Sequence, residues 1–550
     1  MRPVLRIFLF VFWGILDFAK SGHAQQSILT SSNLPIVIIN TGGQTILTDP
    51  KITASMGIVY NGIGKRNQIS DAPNEYNNKI GIELRGQSSL ALFPMKSYDI
   101  ELRDQAGAEL HVPLLGMPPE SDWVLYAPYT DKTLMRNFLA YTLAREMGRW
   151  ASRCRYVELI VDNDYKGIYL LEEKIKRDPA RVNISDLLPT DNTGDELTGG
   201  YIFSLDKQPN GWLSSFPVPG ATNFNRRQFS YVYPRLAVIT SPQKNYIKSA
   251  VDQFEIALAG PDFQDPGIGT RKYADLNSFI DYFIVNELSR NVDGYRLSTY
   301  LHKGKNSIDG RIKAGPVWDY DLAFRNANYC NGSDIYGWAY KFNYVCPGDG
   351  AGLIPFWWER LMQDTAFLGS LRCRWKDLRK TTLSENNIYK LIDSVATLTN
   401  EARGRHFKRW DIMGKYVWPN ANPIPSNYDE EISTLKYWLS QRAKWIDESL
   451  ENKGSCGDFP PNVESDLIVR QFPNPFTGNA RINVLSRDAF VVKVKALNMA
   501  GKLMTEISSN VFRGNNDVTL PSLGWSSGIY IIVVETDRGE KFTLRIVKQD

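Results

Sequence analysis

The 550 residues exceed one ordinary domain, and 43% hydrophobic with 23% charged content excludes a disordered chain. Sixty-four basic against 60 acidic residues leave a formal charge of +4, with Arg2 and Arg6 of the leading segment supplying two of those charges, which also excludes a general nucleic-acid binder. None of the histidines sits in a His-x-x-x-His spacing, and neither a Gly-x-Ser-x-Gly elbow nor a Walker pattern occurs, so zinc hydrolysis, common serine hydrolysis and P-loop chemistry lack their signatures.

Residues 1–24 read as a secretory signal: Arg2 and Arg6, an apolar run from Ile7 to Leu16, then Gly22 and Ala24 at the cleavage spacing, with the cut expected at Ala24-Gln25. Asp17 and Lys20 interrupt that run short of the roughly 18 apolar residues a membrane anchor needs. No later stretch is apolar enough, so no transmembrane segment is expected in the mature chain. Five cysteines leave at least one unpaired. Cys330 and Cys346 flank a loop dense in Asn, Gly and Tyr and are the preferred pair, whereas Cys154 and Cys373 fit buried positions in a strand and a helix.

Along the chain, "LPIVIIN" at 34–40 reads as a first strand. "IGIEL" at 80–84 and "KSYDIELRD" at 96–104 alternate, with Ile80, Ile82 and Leu84 in one and Tyr98, Ile100 and Leu102 in the other facing one side, and Lys96 in register with that apolar side. A helix is predicted from Thr133 to Met147, carrying Leu139, Leu143 and Met147 and stopping at Gly148. "RYVELIVDNDYKGIYLLEEKI" reads as two strands around an Asx/Gly turn. "DLNSFIDYFIVNELSRN" has Asp275 as N-cap and Leu276, Phe279, Ile280, Phe283, Ile284 and Leu288 on one face of a buried helix that delivers the chain to Asp293. "STYLH" and "RIKAGPVW" then flank the Asp309-Gly310 turn as a hairpin, which should return Asp319 to the rim where Asp293 lies. From about Phe356 to Leu450 the pattern is helical. Residues 456–467 form a polar, Pro-bearing connector, and short alternating strands follow over 468–550 as a small β-sandwich.

What remains for chemistry is a lysine on an inward strand face, an aspartate after a buried helix, and an acidic pair after a hairpin. Phosphoryl transfer needs such a set: a cation for nucleotide phosphates, a carboxylate to orient the attacking hydroxyl and one to hold Mg²⁺. Each residue also has an ordinary reading. Lys96 snorkels to solvent, Asp293 before Gly294 makes a turn, and Asp319 and Asp321 cap loop amides.

Six blocks, "IGIELRGQSSLALFPMKSYDIEL", "DWVLYAPYTDKTLMRN", "YKGIYLLEEKIKRDPARVNI", "GGYIFSLDK", "NELSRNVDGYRLSTYLHK" and "GPVWDYDLAF", occur in the order found in the CotH kinase family, named for a spore coat protein, and the chain resembles that family from residue 34 to about 445. The resemblance implies an α+β fold: a bilobal, atypical protein-kinase-like domain over residues 28–455. It also implies use of ATP with Mg²⁺ or Mn²⁺ to phosphorylate Ser or Thr of a protein substrate. By it, Asp293 is the catalytic aspartate, Lys96 grips the ATP phosphates, and Asp319 is the principal metal ligand with Asp321 close by. Arg85 and Ser88 of "RGQSS" line the phosphate side, and Glu172 of "LLEEK" lies in the inter-lobe segment near adenine. Two departures stand out. Ser298 occupies the second metal-ligand position that is Asn in ordinary kinases, and no Gly-x-Gly-x-x-Gly loop occurs, "NGIGKR" at 61–66 being its nearest echo. The partner of Lys96 is left open among Glu146, Glu158 and Glu172.

The C-terminal block, with "FPNPF" at 472–476, "NMAGK" at 498–502, "SSGIYIIVV" at 526–534 and "FTLRIVK" near the end, resembles the type A sorting domain of type IX secretion. That resemblance implies passage through the periplasm and the outer membrane of a Bacteroidetes-type bacterium, with the secretion machinery as partner. Two rival classes stay beside the secreted kinase: a catalytically weak or inactive kinase-like surface protein that binds a glycan or protein, and a glycoside hydrolase using Asp293 and Asp319 as paired carboxylates.

Overall fold

The computed structural model describes residues 29–207, 209–219, 226–346, 352–454, 467–471, 476–486, 490–499, 501–511, 514–537 and 541–549. The expected signal segment, nearly all of the 456–467 connector and most of the "FPNPF" motif lie outside the described residues. Among the described residues no helix is long and apolar enough to cross a membrane.

Seven strands close a barrel: β1 (Ile36–Asn40), β2 (Ile52–Val59), β3 (Tyr76–Arg85), β4 (Ser97–Arg103), β5 (Asp122–Tyr126), β6 (Cys154–Val161) and β7 (Asp164–Glu173). Their order is β6-β7-β5-β4-β3-β2-β1, and the parallel pairing of β1 with β6 completes the ring. The turn between β6 and β7 is two residues, Asp162 and Asn163, with φ of 50° and 63°. Positive φ at both central positions matches the right-handed twist of the strands, and Asp and Asn tolerate it. Alternation decides the interior: Ile80 and Ile82, Tyr98, Ile100 and Leu102, Trp123 and Leu125, Val157 and Leu159, Tyr169 and Leu171 fill it. The predicted helix is shorter than its pattern, α2 running Arg136–Glu146 after the one-turn α1 (Ser88–Leu92), and it buries Leu139 and Leu143 as expected.

A five-stranded sheet follows, built from β8 (Tyr201–Leu205), β9 (Leu213–Pro217), β10 (Arg226–Tyr233), β11 (Thr299–Lys303) and β12 (Ile312–Ala314) in the order β9-β10-β8-β11-β12. Between β10 and β11 lie α3 (Ser241–Ala259) and α4 (Leu276–Ser289). Asp275 caps α4 by accepting from the Asn277 amide at 3.2 Å. The helix is buried on every side rather than on one face, because it packs against α2, against α7 (Thr365–Lys380) and against α10 (Tyr428–Leu450). The expected β11/β12 hairpin forms, and a one-turn helix, α5 (Asn306–Asp309), precedes the Gly310 turn.

The rest of this unit is helical: α6 (Trp357–Leu361), α7, α8 (Glu385–Leu398), α9 (Asn400–Arg409) and α10. Helix α9 straps the barrel. Arg405 reaches the buried Glu158 of β6 at 2.6 Å, the His406 Nδ1 accepts the Ile168 amide at 3.1 Å, and Trp410 Nε1 donates to the Lys166 carbonyl at 2.8 Å. Gly167 lies at φ +103°, and a Cβ there would stand 2.8 Å from the His406 Nδ1, so the close approach needs glycine. Cys330 and Cys346 form the expected disulfide, Cys154 is the buried free thiol, and Cys373 is disulfide-bonded.

The second unit, from Phe459 onward, holds a three-stranded sheet, β13 (Leu467–Gln471), β14 (Ala480–Ser486) and β17 (Gly514–Leu520), and a four-stranded one, β15 (Phe490–Asn498), β16 (Leu503–Val511), β18 (Gly528–Thr536) and β19 (Lys541–Lys548). Ile482, Val484, Val492, Val494, Ile532, Val534 and Ile546 form their common core, as the alternating pattern anticipates.

Candidate active site

The barrel interior consumes the apolar face of its strands, so the alternate residues point outward. Ser97 of β4, Val124 and Tyr126 of β5 and Glu172 of β7 form one wall of a cavity of about 670 Å³, together with Arg85 and the Gly86–Ser89 turn that follows β3. Gly86 has φ +116°, and a Cβ would meet the Ser89 Oγ at 2.3 Å, so this tight turn also depends on glycine. The opposite wall carries Asp206 and Lys207 after β8, Asp293 and Ser298 after α4, and Asp319 and Asp321 after β12.

Helix α4 and the hairpin do bring Asp293 and Asp319 into one cavity. The Asp293 amide donates to Asn291 Oδ1 at 3.2 Å, and an Arg296 nitrogen lies 3.7 Å from its carboxylate. Asp319 sits at φ +66°. Helix α2 holds that conformation: the Asp319 amide donates to Tyr141 Oη at 3.0 Å and the Tyr320 amide to Asn137 Oδ1 at 2.6 Å. Ser298 Oγ stands 3.5 Å from Asp319 Oδ2. Positive φ recurs at Arg290, Tyr295, Ser298, Asp319, Phe324 and Arg325, a concentration of costly backbone geometry of the kind found at ligand sites.

Burial, followed by repulsion from neighbouring carboxyls, holds Asp319 above the usual carboxylate range and Asp321 well above it; Asp293 is raised chiefly by burial. Glu172 is pushed up to about 8 by burial, with Asp319 adding to the effect and Arg85 opposing it. Among the described lining residues five carboxyls, those of Glu172, Asp206, Asp293, Asp319 and Asp321, face two cations, Arg85 and Lys207. This oxygen-only donor set fits a hard divalent cation.

On the basic side, Arg85 lies 2.8 Å from Asp99, which also accepts from Lys174 at 3.0 Å, and its guanidinium covers the Trp318 ring at 5.4 Å. A second cavity of about 600 Å³ shares Arg85, Tyr300 and Trp318 with the first and extends past Ile175 to Val232 and Tyr233. Lys96 is not among the lining residues. Its ammonium donates to the carbonyls of Leu90 at 2.6 Å and Phe93 at 2.5 Å, so it supports α1. The physical reason is the register that singled it out: the face shared with Tyr98 and Ile100 points into the barrel, and the cavity draws on the other face. None of the three candidate glutamates meets Lys96. Glu158 is paired with Arg405, Glu146 accepts from Asn387 at 3.0 Å, and Glu172 lies in strand β7 with its carboxyl in the cavity. Residues 61–66 are remote as well, Arg66 pairing with Glu401 at 2.7 Å, which leaves "RGQSS" as the loop at the cavity.

The family model described as CotH kinase protein matches residues 82–446, well over half of the chain. The chain belongs to that family. A secretion system C-terminal sorting domain matches residues 470–549 and marks the chain for type IX export to the cell surface or extracellular space. A comparison with curated proteins returns no match.

Within the CotH region, sequence reading missed Asp206 and Lys207, although "GGYIFSLDK" contains both, and the aromatic pair Tyr329 and Trp418, which lines the cavity with ring planes 3° apart and centroids 5.9 Å apart. Lys207 Nζ reaches Ser88 Oγ at 3.2 Å, joining the two walls. Away from the cavity, Glu109, His111 and Glu120 of the CotH region bring ligand atoms within 4.8 Å of one another. Glu120 is already committed, accepting from Lys176 at 2.8 Å and from the Ser121 amide at 2.9 Å.

Proposed function

We propose that this CotH-family chain is a divergent, bilobal protein kinase that transfers the ATP γ-phosphate to a Ser or Thr hydroxyl of a protein substrate, with Mg²⁺ or Mn²⁺. The observation that carries the reading is the convergence of Asp293, Asp319 and Asp321 with Arg85 in one cavity. The crowded, buried carboxyls of Asp319 and Asp321 fit a divalent ion, with Ser298 as a neighbouring oxygen donor. When bound, the ion neutralises phosphate charge and the nucleotide supplies the phosphoryl group.

In this reading Asp293 orients the acceptor hydroxyl and takes its proton, a task helped by the burial that raises its affinity for protons. Arg85, Lys207 and Ser88 hold the phosphates, a role the resemblance gave to Lys96. The second cavity, with Tyr300 and Trp318 at its boundary and Ile175 and Val232 beyond, takes the nucleoside. Tyr329 and Trp418, which line the same cavity as Asp293, then flank the acceptor.

The rival, a surface protein that binds a glycan or protein without efficient transfer, draws on Ser298 and on a separate cavity of about 790 Å³ lined by Tyr336, Trp338, Tyr340 and Tyr344. Labelled ATP with Mg²⁺ or Mn²⁺ separates the two. The kinase reading expects label on the chain itself or on a casein-like substrate, and silence from Asp293→Ala and Asp319→Ala. An unsubstituted chain that neither transfers label nor gains thermal stability from ATP and metal hands the case to the rival.

A further inference from the structure

Strand β5 turns Trp123 and Leu125 into the barrel and presents Val124 and Tyr126 to the cavity. The Tyr126 Oη is buried and has no hydrogen-bond partner among the described residues. Three buried tyrosines near this site have partners within the protein. Tyr156 donates to the Leu134 carbonyl at 2.8 Å, Tyr320 to Asn286 Oδ1 at 3.0 Å, and Tyr141 accepts the Asp319 amide. A buried hydroxyl left without a partner destabilises a fold, so one retained in a cavity wall marks a missing ligand atom.

The charged groups with most effect on this phenol are Asp321, Asp131, Asp319 and Glu172, all carboxyls, and a tyrosine hydroxyl donates to an anionic oxygen. It is a donor. Asp131 is taken by Thr133 at 2.5 Å and by the Arg136 amide at 2.7 Å, so it leaves no claim on Tyr126.

We infer that Tyr126 is a further positioning residue of the transfer site: its hydroxyl donates to an anionic oxygen of the metal-bound triphosphate beside Asp321. The inference rests on the kinase reading. It assigns the phenol to the bound nucleotide rather than to the fold, so removing the hydroxyl leaves the empty protein intact and weakens the loaded one.

Tyr126→Phe in the full chain tests this, with Mn²⁺ plus a non-hydrolysable ATP analogue as the probe. The expected result is a melting temperature without ligand equal to or above that of the unsubstituted chain, a ligand-induced rise in melting temperature cut by half or more, and transfer slowed at least tenfold with the acceptor KM unchanged. A lower melting temperature without ligand overturns the inference, because the hydroxyl then serves the fold. So does a variant that keeps the full ligand-induced rise and the full rate while the unsubstituted chain binds and transfers normally. An unsubstituted chain that does not respond to the probe removes the kinase reading and this inference together.

Discussion

Arg85 and Trp318 are stacked at 5.4 Å where two cavities meet, so one guanidinium belongs to both. Asp99 fixes its position from behind at 2.8 Å. Arg85→Ala is expected to raise the ATP KM tenfold or more, in line with the roughly 1.5–3 kcal/mol of a hydrogen bond to a charged group. Arg85→Lys should recover only part of this, since an ammonium keeps the charge but loses the planar stack. Initial rates at varied ATP check it, and an unchanged KM in Arg85→Ala would take Arg85 out of the nucleotide site.

The two lysines near the first cavity make opposite forecasts. Lys207→Ala should weaken ATP binding several-fold without lowering the melting temperature, because its side chain is exposed and crosses between the walls. Lys96→Met should leave ATP affinity alone and cost about 1–2 kcal/mol of stability through the lost carbonyl contacts. Calorimetric titration beside thermal melts distinguishes them, and the reverse pattern would restore Lys96 to the phosphates.

Ser298 stands at φ +46°, a left-handed conformation that Asn accepts more readily than most residues. Ser298→Asn therefore fits the backbone and adds an amide oxygen beside Asp319. Half-maximal activity should need several-fold less Mg²⁺. If metal titration curves of the two proteins superimpose, position 298 is not a ligand site.

Stability should depend on pH with a definite sign. Glu172, raised to about 8, binds its proton more tightly in the folded chain, so its contribution is complete below the ordinary carboxylate value and is lost as pH rises through about 8. His406, lowered to about 3 by burial, contributes above its ordinary value and loses this as pH falls toward 3. The two effects oppose each other below the ordinary histidine value, where His302, also lowered by burial, sides with His406, so melting temperatures of the metal-free chain should decline only from about pH 7 to 8, and Glu172→Gln should flatten that limb. An equal slope in both proteins would contradict the burial of the Glu172 carboxyl.

Much of this arrangement was legible in the chain. Period-two alternation located β3, β4, β6 and β7, and the Asp275 cap with the hairpin after it predicted that Asp293 and Asp319 would meet. Alternation separates two faces of a strand without saying which one lines a cavity. Lys96 was read on the apolar face, which closure of the barrel turned inward, while Arg85 and Tyr126 stood on the other. Helix α4 displayed one apolar stripe, yet three neighbouring helices cover it, and its polar positions are buried by partners that no local pattern announces. Tyr329 and Trp418 are 89 positions apart and share a wall through bonds between their segments, the Asn328 amide to the Pro419 carbonyl at 2.9 Å and Asn420 Nδ2 to Asn326 Oδ1 at 2.8 Å among them. Such a meeting has no signal in either segment alone.

The strap formed by α9 sets an order of events during synthesis. All seven barrel strands have been synthesised by residue 173, but the cation that neutralises Glu158 arrives 247 positions after it, at Arg405. Until then the sheet holds a carboxylate with no counter-charge and an Ile168 amide with no acceptor. An amino-terminal stretch that is slow to settle stays threadable for longer, which suits a chain marked for export.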